Sequence, residues 1–344
     1  MTTLLSIAPL GAPPCPTIDP FLFCVHHHDA YPPGNAQMAP DPALLSGRQI
    51  GQDFGGKDGW SMYHGDTVPG FPSHPHRGFE TVTIVRNGRI DHSDSLGATA
   101  RFGGGDVQWL TAGQGIVHCE MFPLLHSDAP NPTELFQIWL NLPAKNKMAK
   151  PHFTMFWHED IPRLTAQDAD SRTTDVVCIA GSLNNLQALK PPPHSWASEA
   201  DSDLGIYTIK LSPGAQWSLP AARSSATRRV LYFFKGLSIR VAGQTISTHS
   251  VMEVKADQPC DFLNGDLESE ILVLQGRPIN EPVAQYGPFV MNTQAEIHQA
   301  FADYRRTEFG GWPWGRPDPV HPRATGRFAK HADGRVEQRE QEIT

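Results

Sequence analysis

Between residues 70 and 121 the chain sets two pairs of metal-type side chains at a spacing of two. The stretch GFPSHPHRGFETVTIVRNGRIDHSD carries His74 and His76, and FGGGDVQWLTAGQGIVHCEMF carries His118 and Glu120. In a β-strand, residues two apart share a face, so each pair presents both side chains on one side of a sheet. That is a strong constraint on the fold. The two strands must be neighbours in a small antiparallel barrel for the four groups to meet. With 16 His in 344 residues, roughly 0.7 His-x-His pairs arise by chance, and His26 and His28 form another pair. The setting therefore has to carry the reading.

After His76, Val82 and Ile84 share one parity and Thr81 and Thr83 the other, a strand pattern. Asn87-Gly88 then reads as a two-residue hairpin turn returning the chain through Arg89 to His92. A turn at 103–105 leads to a short strand at 106–110, and a second turn at 112–115 precedes the strand from Ile116. An unbroken strand would also put Glu80 on the face of His74 and His76. Five candidates, His74, His76, Glu80, His118 and Glu120, thus compete for four places. A bulge at Gly78 would turn Glu80 away. Three imidazoles and a carboxylate suit one divalent transition metal, and iron, copper, nickel, manganese and zinc all fit. Cys119 has the wrong parity for that face and reads as a small buried hydrophobe.

These residues resemble the metal-binding half of a cupin barrel, and specifically the pirin family. The matching stretches are HPHRGFETVT (74–83), DSLG (94–97) and GDVQWLTAGQGIVHCEM (105–121), with DPFLF (19–23) upstream and EPVAQYGPFVMNT (281–293) downstream. The resemblance runs from about residue 15 to 310. It implies an all-β fold of two cupin (jelly-roll) β-barrels in tandem, with a C-terminal helix packing back. It also implies the ligand set His74, His76, His118 and Glu120, with Glu80 left as a supporting carboxylate and Fe(II) as the expected metal.

The rest of the chain fits that architecture. Thirty Gly and 31 Pro suit many short strands and turns, and charged residues at 19% exclude a disordered body. A net charge of -8 argues against a sequence-independent grip on nucleic acid. Five scattered Cys without a Cys-x-x-Cys pattern, and no run of 18 apolar residues, point to a cytoplasmic protein without a membrane span. A monomer is expected. The domains are expected at 1–143 (metal-binding), 144–292 (metal-free) and 293–344 (helix and surface tail), with 144–153 as a connection. In the second half, strands are expected at 205–211, 215–219, 229–234, 237–241, 251–254 and 271–275, with a hairpin-like turn at Val241-Ala242-Gly243-Gln244. TQAE at 293–296 fits a capping box with Thr293 as N-cap, followed by the stripe Ile297, Ala300, Phe301 and Tyr304. The tail is expected to fray after about Phe328.

Around the metal, one of His26, His27 and His28, with His28 taken first, is a candidate for the pocket mouth, and His92 for a group supporting the ligands. Phe21, Phe23 and Met121 are candidate pocket walls, with ordinary core packing as the alternative. By resemblance, some pirins are similar to quercetinases, which implies an iron-dependent dioxygenase acting on a flavonol or other small aromatic substrate, with Glu120 also serving as base. The alternative that the resemblance allows is an iron-dependent regulator that binds a protein partner, a transcription factor or a metabolic enzyme, without catalysis.

Overall fold

A computed structural model of the chain describes residues 3–339. They form two compact units, each drawn from separate stretches of chain. Among the described residues, one comprises 3–25, Ile138–Pro143 and Glu159–Asn280, and the other His26–Gln137, Ala144–His158 and 281–339. The contiguous boundaries expected at 143 and 292 do not coincide with these units, because terminal segments add to bodies distant in sequence. The strand Leu4–Pro9 pairs antiparallel with Ser250–Lys255. The segment 144–153 belongs to the metal-binding unit, where the strand His152–Phe156 pairs with Val107–Thr111.

The metal-binding unit is built from two sheets. One has the order Val336–Gln338, Phe328–Lys330, Thr99–Gly103, Arg89–Asp94, Ile116–Met121, Gly70–His76. The other has the order His152–Phe156, Val107–Thr111, Phe79–Asn87, Asn131–Asn141, Phe21–Tyr31, of which residues 26–31 and 131–137 lie in this unit. Between Gly70 and Asn141, successive strands change sheet at almost every connection, the jelly-roll pattern that closes a sheet without long exposed edges. Val85, Leu110, Leu135 and Phe153 from one sheet meet Ile90, Ala100, Phe102 and Ile116 from the other in a single core.

Of the two turns signalled in the sequence, one departs from its signal and one follows it. Asn87-Gly88 is a corner: the strand Phe79–Asn87 and the strand Arg89–Asp94 lie in different sheets, and only Gly88 of the two has positive φ, at 77°. Burying apolar faces on both strands outweighs local hairpin pairing here. Ala242-Gly243, with φ of 49° and 83°, does make the two-residue hairpin, pairing Val241 with Gln244.

The other unit has a seven-stranded and a four-stranded sheet around its own core, including Ile209, Leu231, Met252, Phe262 and Val273. Its strands Gly205–Leu211, Gln216–Leu219, Arg228–Lys235, Ile239–Val241, Ser250–Lys255 and Ser269–Gly276 match the sequence pattern. The helix Gln294–Thr307 starts at the anticipated capping box. Thr293 Oγ1 accepts from the Glu296 N–H at 3.2 Å, and Glu296 Oε2 accepts from the Thr293 N–H at 2.8 Å. Ile297 and Ala300 bury against Val117 and Phe289 in the metal-binding unit. The tail does not fray at Phe328. Phe328–Lys330 pairs with Thr99–Gly103 and extends the metal-bearing sheet, since an open edge with free N–H and C=O groups favours strand addition. No helix among the described residues is long and apolar enough to cross a membrane.

Candidate metal centre

His74 and His118 face each other across the antiparallel pair Gly70–His76 and Ile116–Met121, and His76 lies two residues on, on the same face. The three imidazole rings are 4.5 to 4.9 Å apart, centre to centre. One nitrogen from each lies within 4.8 Å of the others. Ligands about 2.0–2.1 Å from one ion stand about 3–4 Å apart, so an inward closure of roughly 1–2 Å would complete coordination.

The state of the rings also fits a metal. His74 Nδ1 donates to the Pro72 carbonyl at 2.8 Å. A carbonyl only accepts, so this bond fixes the proton on Nδ1 and leaves Nε2 as the ligating atom. Burial holds the His74 pKa down at about 4. Burial, then the field of His74, holds His76 and His118 well below the ordinary histidine value. All three are therefore neutral and able to ligate at neutral pH. His118 is completely buried, and neither of its ring nitrogens has a hydrogen-bond partner among the described residues. Such an orphaned pair costs about 1–3 kcal/mol per group unless an ion or other group takes it up. The residues present thus fit a transition metal.

Glu120 shares the face of His118 but stands outside the group within 4.8 Å, which among the described residues is the three histidines. Its Oε1 accepts from Thr83 Oγ1 at 3.1 Å and its Oε2 from Gln137 Nε2 at 2.5 Å. Burial raises its pKa, and the field of His92 and these two donors offset part of the rise. His92 lies directly opposite Glu120 on the neighbouring strand. Its ring is 5.5 Å from that of His118 and stacks flat on Phe153, and its Nε2 contacts Asp94 at 3.3 Å.

Glu80 leaves the ligand face, as the bulge reading allowed. The strand of His74 ends at His76, Gly78 takes φ of 86°, and Phe79–Asn87 begins in the other sheet. Glu80 there accepts from Thr111 Oγ1 at 2.6 Å. Arg77 is likewise turned away, donating to Asp303 at 2.9 Å and to the Gln114 carbonyl at 2.6 Å. Cys119 is buried as a small hydrophobe. Met121 shares its parity rather than that of His118, and the two pack together with Ala39 and Val68, so Met121 is not a wall of the metal face. Phe21 and Phe23 fall in the other compact unit, where Phe23 packs on Trp139 at 4.9 Å. His28 is exposed, its ring parallel to that of His26 at 6.0 Å.

Beside His74, the rings of His27, Tyr63, Phe71 and Phe122 form an aromatic cluster. Phe71 lies 6.4 Å from His74 and 5.1 Å from Tyr63, and His27 lies 4.8 Å from Tyr63. The signal for His27 was its parity with Val25 and Tyr31, both buried, against the outward His26 and His28. Nothing in the sequence marks Tyr63, which reaches the site from a long loop in the left-handed conformation, with φ of 57°.

The model of the pirin family matches residues 11–140, and that of the pirin C-terminal cupin domain matches residues 206–310. A Pseudomonas aeruginosa protein, provisionally named a quercetin 2,3-dioxygenase, is 37% identical over 243 residues, 70% of this chain and 80% of its own length. Human pirin is 32% identical over 253 residues, 72% of this chain and 80% of its own. A crystal structure of quercetin 2,3-dioxygenase from Acinetobacter baumannii superposes with a TM-score of 0.69 at 27% identity, covering 90% of this chain and 99% of that one. Two jelly-roll barrels, a buried histidine triad on paired strands and these matches together place the chain in the pirin family of bicupin proteins.

Proposed function

We propose that this pirin is a metal-dependent dioxygenase acting on a flavonol or related enol, with Fe(II) held by His74, His76 and His118. The observation that carries the reading is the buried triad of neutral imidazoles, with ligating atoms within 4.8 Å, beside a carboxylate held in the same interior. Three nitrogen ligands leave positions open on a five- or six-coordinate ion, and copper, nickel, manganese and zinc are compatible with the same donor set. When bound, the metal supplies Lewis acidity at a substrate hydroxyl.

The chain's own groups do the rest. Glu120 is the carboxylate placed to receive the hydroxyl proton or to join the ligands, and Thr83 and Gln137 aim its two oxygens. His92 supports Glu120 from the facing strand. Phe71, Phe122 and Tyr63 form an aromatic wall suited to a flat substrate. Similarity to a quercetin 2,3-dioxygenase structure and to provisionally named quercetin dioxygenases supports the substrate class. Five buried free thiols support a cytoplasmic setting.

The test is consumption of quercetin by protein purified without a nickel column and loaded with Fe(II). Loss of the flavonol absorbance should require metal and vanish in His118→Ala. No metal-dependent loss with Fe, Cu, Ni or Mn would refute the proposal.

A further inference from the structure

His27, Tyr63 and Asp29 form a buried hydrogen-bonded chain beside the aromatic wall. Tyr63 Oη donates to Asp29 Oδ2 at 2.7 Å and lies 2.8 Å from His27 Nδ1. A phenol has one proton. Because it goes to Asp29, the contact with His27 must be made by the imidazole, so Nδ1 carries hydrogen and Nε2 carries the lone pair. The chain is anchored at its far end, where Asp29 Oδ1 accepts from the Ser61 N–H at 2.9 Å. It is anchored in the middle too. Tyr63 exchanges two backbone bonds with Asp53, at 2.8 and 2.9 Å, and Arg48 holds the Asp53 carboxylate at 2.9 Å. Burial, with the field of His26, keeps the His27 pKa down at about 4, so the ring is neutral at neutral pH.

The position matters as much as the protonation. The His27 ring lies 5.9 Å from Phe71 and 6.4 Å from Phe122, and Phe71 lies 6.4 Å from the metal-side His74. The His27 imidazole thus adjoins the aromatic wall while its tautomer is held by Tyr63.

We infer that His27 is a specificity residue: its Nε2 accepts a hydrogen bond from a hydroxyl on the outer ring of a polyhydroxylated planar aromatic substrate, and Tyr63 and Asp29 are positioning residues that fix its tautomer. The inference rests on the substrate class proposed above. It predicts discrimination by hydroxyl count, because an acceptor left unpaired by a bound ligand disfavours that ligand.

Two measurements test it. The first is anaerobic titration of zinc-loaded protein with quercetin and with galangin, which has the same ring system but no hydroxyl on its outer ring. Wild type should prefer quercetin by about tenfold, the size expected for one such bond. His27→Phe should bring the ratio near one with galangin affinity unchanged, and Tyr63→Phe should lower the ratio in part. An unchanged ratio in His27→Phe overturns the inference and leaves the substrate class standing. Failure of wild type to bind either flavonol overturns both. The second needs no ligand: ¹⁵N correlation spectra of the histidine side chains should show His27 protonated at Nδ1, shifting toward Nε2–H in Tyr63→Phe. An Nε2–H tautomer in the wild type overturns the inference whatever the substrate.

Discussion

The substitution Gly78→Ala tests how the ligand strand is ended. Gly78 lies between His76 and the strand Phe79–Asn87, at φ of 86°. A Cβ there would stand 1.9 Å from the Val290 carbonyl oxygen and 3.0 Å from Met291 Sδ. The Val290 backbone cannot yield easily, because its N–H donates to the Arg77 carbonyl at 3.0 Å and its carbonyl accepts from Lys147 Nζ at 3.2 Å. A left-handed Cβ costs about 1–2 kcal/mol, and overpacking against backbone about 1–3 more. The sum of about 2–5 kcal/mol corresponds to a fall of roughly 4–20 °C in thermal midpoint for a body of this size. Gly97 is the control: its φ is 80°, but a Cβ there meets nothing within 4 Å. Gly97→Ala should therefore show the conformational cost alone, roughly 2–8 °C. Scanning calorimetry on both variants, with zinc titration alongside, decides the matter. Gly78→Ala should also weaken zinc binding, since the displaced segment begins two residues after His76. If Gly78→Ala loses no more stability than Gly97→Ala, the argument from the Val290 contact is wrong.

Three further outcomes follow from the same structure. His118→Leu should abolish metal binding yet raise the midpoint of the metal-free protein, because it removes two unpartnered buried nitrogens worth about 1–3 kcal/mol each; calorimetry in chelator should show the rise, and a fall would argue against an orphaned ring. Gln137→Leu, which removes one of the two donors to Glu120, should change metal affinity or turnover by about 10–100-fold; a neutral effect would remove Glu120 from the site. Lys147 is buried and its pKa is lowered to about 8 by that burial. Between pH 8 and its unfolded value near 10.5 the unfolded chain binds the extra proton, so stability rises with pH through that window, by about 3 kcal/mol at most. Urea unfolding at pH 7.5 and 10 should show this gain in wild type relative to Lys147→Met, and equal pH dependence in the two would refute it.

How far the site was legible follows from which signals were local. The His74, His76 and His118 cluster came from strand parity, which survives as long as each strand is unbroken. Parity failed where backbone geometry intervened: Glu80 shares the even spacing, but the positive φ at Gly78 carries it into the other sheet. The same rule, applied consistently, would have excluded Met121, whose odd position puts it with Cys119. In the run His26-His27-His28 the alternation is hidden by identical residues, and only the flanking Val25 and Tyr31 reveal which side is buried. Asn87-Gly88 carried a hairpin signal, but the pairing of distant strands determined its geometry. The tail edge strand and the contribution of Tyr63 depend on contacts across more than 30 residues, such as Tyr63 with Asp29, and no local pattern encodes them. The barrel strands and the capped helix were legible because periodicity and capping are short-range properties.

X-ray absorption on zinc-loaded protein, purified without a nickel column, tests the metal assignment most directly. Three imidazoles on one ion should give nitrogen scatterers at about 2.0–2.1 Å with the outer-shell pattern of three rings, reduced by one ring in each of His74→Ala, His76→Ala and His118→Ala. A spectrum without imidazole scattering, or one unchanged by all three substitutions, would contradict the account.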